Sequence, residues 1–357
     1  MKIAHLGLLA AALVAIGCGS GSEGGGATTT TTTGSASATG GKPAASGEKL
    51  KVGLVFDSGG KGDKSFNDSA DAGIQKAKKD LNIDDQSIDS KSEKDYATNL
   101  AALADGGCKV IFAVGLGQAD ALKAVAPKYP DVKFGLVDGE LKAPNVRCLL
   151  FAEEQGSFLA GYAAALVSKT HKIGFVGGMN IPLITKFLVG YTAGAKYADP
   201  KIEVLPPKYT NNWVDVGLGK AAAKVLFDSG ADIVYHASGR CGLGVISAAK
   251  DAGKLAIGVD GNQDGEAPGF VLTSMMKSVD TAVYNTIKDV EDNKFTPDDK
   301  VYDLASGGVG LTDFALTKDK IGAANLAKLD DIKKLVSSGK INVPKTQEEL
   351  AAFKPTP

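Results

Sequence analysis

From residue 50 onward the chain alternates short apolar runs with amphipathic stretches, a pattern that predicts βα units built on parallel sheets. The runs recur. KVGLVF at 51 returns as KIGFVG at 172, KVIFAVG at 109 as DIVYHASG at 232, and VKFGLVDG at 132 as KLAIGVDG at 254. The offsets of 121, 123 and 122 residues agree too closely for chance and are too long for a solenoid repeat. They predict two similar α/β lobes of about 110 to 120 residues each. Helices are expected between the runs. Asn67 to Leu81 carries Ala70, Ile74 and Ala77 at helical spacing, and Ser157 to Val167 is small and apolar enough to pack closely. Gly217 to Ser229 would present Leu218, Ala222, Val225 and Leu226 as one stripe.

The repeat also pairs chemistry. Asp138 in LVDG and Asp260 in GVDG end matching strands, one per lobe, and Asp57 ends the first strand. Strand carboxyl ends are where α/β sheets hold ligands, so these acids are expected to face a cleft between the lobes. An Asp-Gly pair alone reads equally well as a turn. The duplication favours the cleft.

The stretch SGGKGDKS after the first strand invites a phosphate-loop reading, which its residues refuse. Such a loop needs glycine directly before its Lys-Ser pair and again five residues earlier, and those places hold Asp63 and Ser58. GLGQAD at 115 and GRCGLG at 239 follow strands, but neither is a dinucleotide fingerprint. No G-x-S-x-G is present, and two acids split between hinged lobes are poorly held for glycoside hydrolysis. Forty basic against 41 acidic side chains leave no field for nucleic acid. Neither His171 nor His236 has metal-like spacing, and among Cys108, Cys148 and Cys241 at most one disulfide can form, its pair undetermined by spacing. Neither a metal nor a cofactor is expected. A binding cleft asks for less: carboxylates and amides as directional partners, and aromatic faces for flat rings. Phe66 and Asn67 sit just past the first strand, with a helix staple as the plain alternative for Phe66, and Trp213, the single tryptophan, lies in a polar stretch with Asn211, Asn212 and Asp215.

At the other end of the chain, residues 1–17 combine one lysine with a short apolar segment ending Ala15-Ile16-Gly17 before Cys18, which resembles the signal peptide and lipobox of bacterial lipoproteins. Cys18 would carry the lipid. Residues 18–49 are Gly, Ser, Thr and Ala with almost nothing to bury, a disordered tether with a reach on the order of 30 Å. This places the folded body in the cell envelope, outside the cytoplasmic membrane, on its periplasmic side or at the cell surface.

FDSGGKGDKSFND, AEEQGSFLAGYAAAL, IPLITKFLVGYTAGAK, IGVDGNQ and VLTSMMKSVDTAVYNTIKD together resemble the basic membrane protein (BMP) family of lipoproteins, PnrA-like, over roughly residues 50 to 320. The resemblance implies a type I periplasmic-binding-protein fold: two Rossmann-like lobes, three crossovers and a central ligand cleft. It implies a non-enzymatic protein, a monomer, that delivers a nucleoside, purine preferred, to an ABC permease. A sugar-binding or sensory lipoprotein of the same fold and a secreted nucleoside hydrolase are the rival readings. By the same resemblance Phe66 and Trp213 would hold the base, Asn67 and Asp138 would read its edge, and Asp260, Lys277 and the Gly239 turn would take the ribose, with Asp57 at the floor. SGRCGLG departs from the family at Arg240 and Cys241. Three crossovers predict lobes of 50–153 plus 271–293 and 154–270 plus 294–355.

One further expectation concerns charge. Asp57, Asp138 and Asp260 against Lys277 make the cleft negative, and at an effective dielectric near 20 a like-charge pair about 6 Å apart costs roughly 2 to 3 kcal/mol. A nucleoside should then bind at least about a hundredfold more tightly than its 5′-monophosphate, unless Arg240 enters the cleft.

Overall fold

The computed structural model describes residues 49–354. The expected signal segment, Cys18 and all but the last residue of the tether lie outside the described residues.

The buried apolar runs become the strands of two sheets, each shielded on both faces as parallel strands require. The chain opens with β1 (Lys51–Val55), α1 (Phe66–Asp80), β2 (Asp84–Ile88), α2 (Tyr96–Asp105), β3 (Val110–Val114), α3 (Ala119–Val125), β4 (Lys133–Val137) and β5 (Val146–Phe151). It continues with α4 (Glu153–Val167), β6 (Lys172–Gly177), α5 (Pro182–Ala198), β7 (Glu203–Val204), β8 (Lys208–Tyr209), α6 (Val216–Asp228), β9 (Ile233–Ala237), α7 (Cys241–Asp251) and β10 (Leu255–Asp260). Then come β11 (Val271–Lys277), α8 (Val279–Glu291), β12 (Asp299–Tyr302) and β13 (Val309–Leu311), followed by helices including Ala323–Ser337. The first sheet runs β12-β5-β4-β3-β1-β2 and is parallel throughout. The second runs β13-β11-β10-β9-β6-β7, with β8 also on β6 and only β13 antiparallel.

The repeat is therefore structural. β1, β3 and β4 occupy the same places in the first sheet as β6, β9 and β10 in the second. Three passages join the sheets: β5 to α4, β11 to α8, and β12 to β13. Their positions differ from the boundaries drawn on sequence. Val271–Lys277, placed with the first lobe, is hydrogen-bonded into the second sheet through β10, and the return to the first lobe begins with α8, which packs on α1. Asp299–Tyr302, placed with the second lobe, pairs with β5 in the first. An edge strand contributed from the far end of the chain leaves no signature in the local pattern.

Helix positions match the periodicity to within a few residues, but the stripe expected on α6 does not. Leu218 and Val225 are exposed, while Gly219, Ala223, Leu226 and Phe227 are buried. The helix turns its small face inward because α6 and α7 touch backbone to backbone. A Cβ on Gly219 would lie 1.9 Å from the carbonyl oxygen of Cys241, and one on Gly244 would lie 1.9 Å from that of Val216.

Candidate functional site

All eight residues singled out on sequence line one cavity between the two sheets, at the strand ends where α/β folds hold small molecules. Asp57, Phe66, Asn67 and Asp138 come from the first lobe, and Trp213, Gly239, Asp260 and Lys277 from the second. Asp138 and Asp260 stand at equivalent strand ends, and both hold a positive φ, 62° and 63°, that turns each side chain at the end of its strand.

The first lobe's contribution is built by the loop that resembled a phosphate cradle. Asp63 is buried and accepts hydrogen bonds from the backbone N–H groups of Ser65 (2.9 Å), Asn67 (2.8 Å) and Asp68 (3.1 Å), so its carboxylate caps α1. Asn67 is held from both sides: its Nδ2 donates to Asp57 (2.8 Å) and Asp63 (3.1 Å), and its Oδ1 accepts from the Asp57 N–H (3.3 Å). Its amide fixes the first strand end to the helix start. Asp57 accepts as well from Gly59 N–H at 2.7 Å, and burial raises its pKa against these hydrogen bonds.

Lys277 ends β11 at the second crossover, and its Nζ lies 2.5 Å from Asp138, 3.8 Å from Glu153 and 3.9 Å from Asp260. Its ammonium also stands 4.8 Å from the ring centre of Phe66. Burial works against this cation, but the carboxylates of Asp138, Asp260 and Glu153 together hold its pKa above the ordinary lysine value. The same burial pushes Asp260 up to about 6 and Glu153 up to about 7, although Lys277 pulls both down. Lys186 Nζ also reaches Glu153 at 3.4 Å, so two ammonium groups face three buried carboxylates, and Asp138 has the shortest claim on Lys277. Asp138 Oδ1 is buried and has no partner among the described residues. It is an acceptor waiting for a donor.

In the second lobe the Trp213 ring lies against Gly178, where a Cβ would meet Cζ3 at 2.0 Å. Cys241 anchors the same loop: its N–H donates to the Trp213 carbonyl (3.3 Å) and its thiol to the Asn212 carbonyl (3.2 Å). Cys108, Cys148 and Cys241 are free thiols, all buried. Two lobe-to-lobe contacts close the floor of the cleft. Ser65 Oγ donates to Asp260 at 2.5 Å, and Gln263 Nε2 donates to the Lys64 carbonyl at 3.0 Å.

Sequence reasoning missed Glu153, Asp63, Ser65, Gly178 and Ser238. The repeat held a signal for two of them. Its offsets carry Asp57 onto Gly178 and Gly115 onto Ser238, strand-end positions like Asp138 and Asp260. Glu153 had no such signal, because it lies at a crossover and has no counterpart in the other lobe.

Residues 50–347 match the family model of the ABC transporter substrate-binding protein PnrA-like. The chain is 37% identical over 320 residues to the ABC transporter nucleoside-binding protein BmpA of Lactococcus lactis subsp. cremoris, covering 83% of this chain and 89% of the relative. It is 34% identical to basic membrane protein A1 of Borrelia garinii subsp. bavariensis, covering 88% and 94%. Among solved structures, an ABC transporter solute-binding protein from Aeropyrum pernix K1 superposes with a TM-score of 0.77 at 28% identity, over 85% of this chain and 96% of that one. Two parallel sheets joined by three passages around a cleft are the type I periplasmic-binding-protein fold, and on sequence, topology and superposition alike the chain belongs to the BMP family of PnrA-like ABC transporter substrate-binding proteins.

Proposed function

We propose that this protein is a lipid-anchored, monomeric, extracytoplasmic receptor that captures a nucleoside, a purine by preference, and presents it unchanged to an ABC permease. The observation that carries the reading is Asp138. Its Oδ2 is neutralised by Lys277 while its Oδ1 is buried without a partner, in a cavity that Phe66 and Trp213 also line. A flat ring bearing N–H donors fits an aromatic-lined slot that ends in an unfilled carboxylate acceptor. The nucleoside-binding name of the Lactococcus relative points the same way. Among the described residues no helix is long and apolar enough to cross a membrane; attachment would be through the lipid expected on Cys18.

Titration calorimetry with guanosine, inosine, adenosine, cytidine and ribose tests the cargo. Purine nucleosides are expected to bind with 1:1 stoichiometry and remain intact. Ribose binding as tightly as guanosine would end the base-reading claim, and turnover of many equivalents would make the protein a hydrolase. Base–aromatic stacking elsewhere contributes roughly 1 to 3 kcal/mol per base. Trp213→Ala should therefore weaken purine nucleoside binding by about ten- to a hundredfold while leaving the melting temperature of the free protein within a few degrees.

A further inference from the structure

Beyond the base-binding end, the same cavity contains a group of donors with nothing to donate to. Ser238 is fully buried, lines the cavity, and its hydroxyl has no partner among the described residues. Arg240, two residues on, lines the cavity half-buried, and its guanidinium makes neither a hydrogen bond nor an ion pair among the described residues. Its guanidinium approaches the glycine loop of the opposite lobe, where Nη2 would lie 3.3 Å from a Cβ on Gly62. The backbone N–H groups of Gly239 and Arg240 immediately precede α7, an 11-residue helix whose amino end carries positive partial charge. Hydroxyl, guanidinium and helix end all offer donors, and together they ask for an acceptor-rich anion.

The cleft's acids are turned toward partners of their own, Asp138 Oδ1 excepted. Asp138 is paired with Lys277, and Asp63 is occupied by three backbone N–H groups. Asp57 accepts from Gly59 and Asn67, and Asp260 from Ser65. The expectation that a monophosphate is excluded counted Asp57, Asp138 and Asp260 against Lys277 alone. Those hydrogen bonds orient the acids without removing their charge; what changes the balance locally is Arg240, a second cation that faces the cavity at the Ser238–Arg240 turn.

We propose that the Ser238–Gly239–Arg240 turn is an anion subsite that lets the cleft accept nucleoside 5′-monophosphates alongside nucleosides, with Arg240 supplying the fork for the phosphoryl oxygens. The proposal rests on the nucleoside reading above for the identity of the base end, but not for the anion. Calorimetry on the full chain with guanosine, guanosine 5′-monophosphate, ribose, ribose 5-phosphate and inorganic phosphate separates the two. The monophosphate is expected to bind within tenfold of guanosine, and Arg240→Met to raise the ratio of their dissociation constants at least tenfold further in favour of guanosine. A wild-type monophosphate affinity a hundredfold or more below that of guanosine overturns the subsite. So does a ratio that Arg240→Met leaves unchanged. If guanosine fails to bind but ribose 5-phosphate binds better than ribose, the nucleoside reading falls and the anion subsite stands. If inorganic phosphate binds as tightly as the monophosphate, the turn holds free anion and the nucleotide assignment is wrong. Should Arg240→Met not fold, the wild-type ratio decides alone, with Ser238→Ala as the second variant expected to move it in the same direction.

Discussion

Lys277 serves three carboxylates at once, and one consequence shows at Glu153, 3.8 Å from its ammonium. Glu153 is 1% exposed, and burial pushes its pKa up to about 7. A raised folded-state pKa means that the group favours folding while protonated, below about pH 4.5, and that this contribution is lost as pH climbs to about 7. Glu153→Gln, neutral at every pH, should remove the loss. Chemical denaturation at pH 5 and pH 8 should show wild type falling relative to the variant by roughly 2 to 3 kcal/mol between the two. Equal pH slopes for the two proteins would mean that Glu153 stays ionised through its contacts with Lys277 and Lys186. Residues like this one were the least legible in the sequence. Asp138 and Asp260 announced themselves through the repeat, whereas Glu153 matters only because crossovers that are distant in the chain bring it to Lys277. Asp63 is legible in part: its carboxylate rules out a phosphate loop on sequence, and the structure adds that it holds the start of α1.

At the scale of elements, glycine sets the closest approaches. α4 and α5 pack so that a Cβ on Gly161 would lie 1.9 Å from the Tyr191 carbonyl oxygen, and one on Gly194 would lie 1.9 Å from that of Phe158. Side-chain relaxation cannot relieve a clash with backbone, so the helices must separate. Gly194→Ala should cost roughly 3 kcal/mol in urea unfolding, whereas Gly265→Ala, with nothing within 4 Å of the added carbon, should be nearly neutral. A loss below about 1 kcal/mol for Gly194→Ala would show that the pair can part without consequence. The strands were legible because a strand buried on both faces must be a continuous apolar run, and the runs repeated. The α6 stripe was not, because periodicity counts large apolar residues and this interface is made by small ones.

For the whole molecule, side chains and backbone from both lobes meet across the cleft. Ser65 reaches Asp260, Lys64 accepts from Gln263, and Lys277 grips Asp138. These contacts close the cleft between the lobes, and opening it requires that they break. Entry then waits on the protein, and the speed of capture has a ceiling set by how often these bonds let go. Trp213, the single tryptophan, lines the cavity and can report the event by its fluorescence. In stopped-flow mixing, the observed rate should rise with purine nucleoside concentration and then level off. Ser65→Ala should lift the plateau severalfold, and a rate that climbs linearly to the highest concentrations would show that the lobes part freely. A receptor gated in this way holds on to scarce cargo and, when cargo is abundant, supplies its permease at a rate fixed by a serine hydroxyl and a lysine carbonyl.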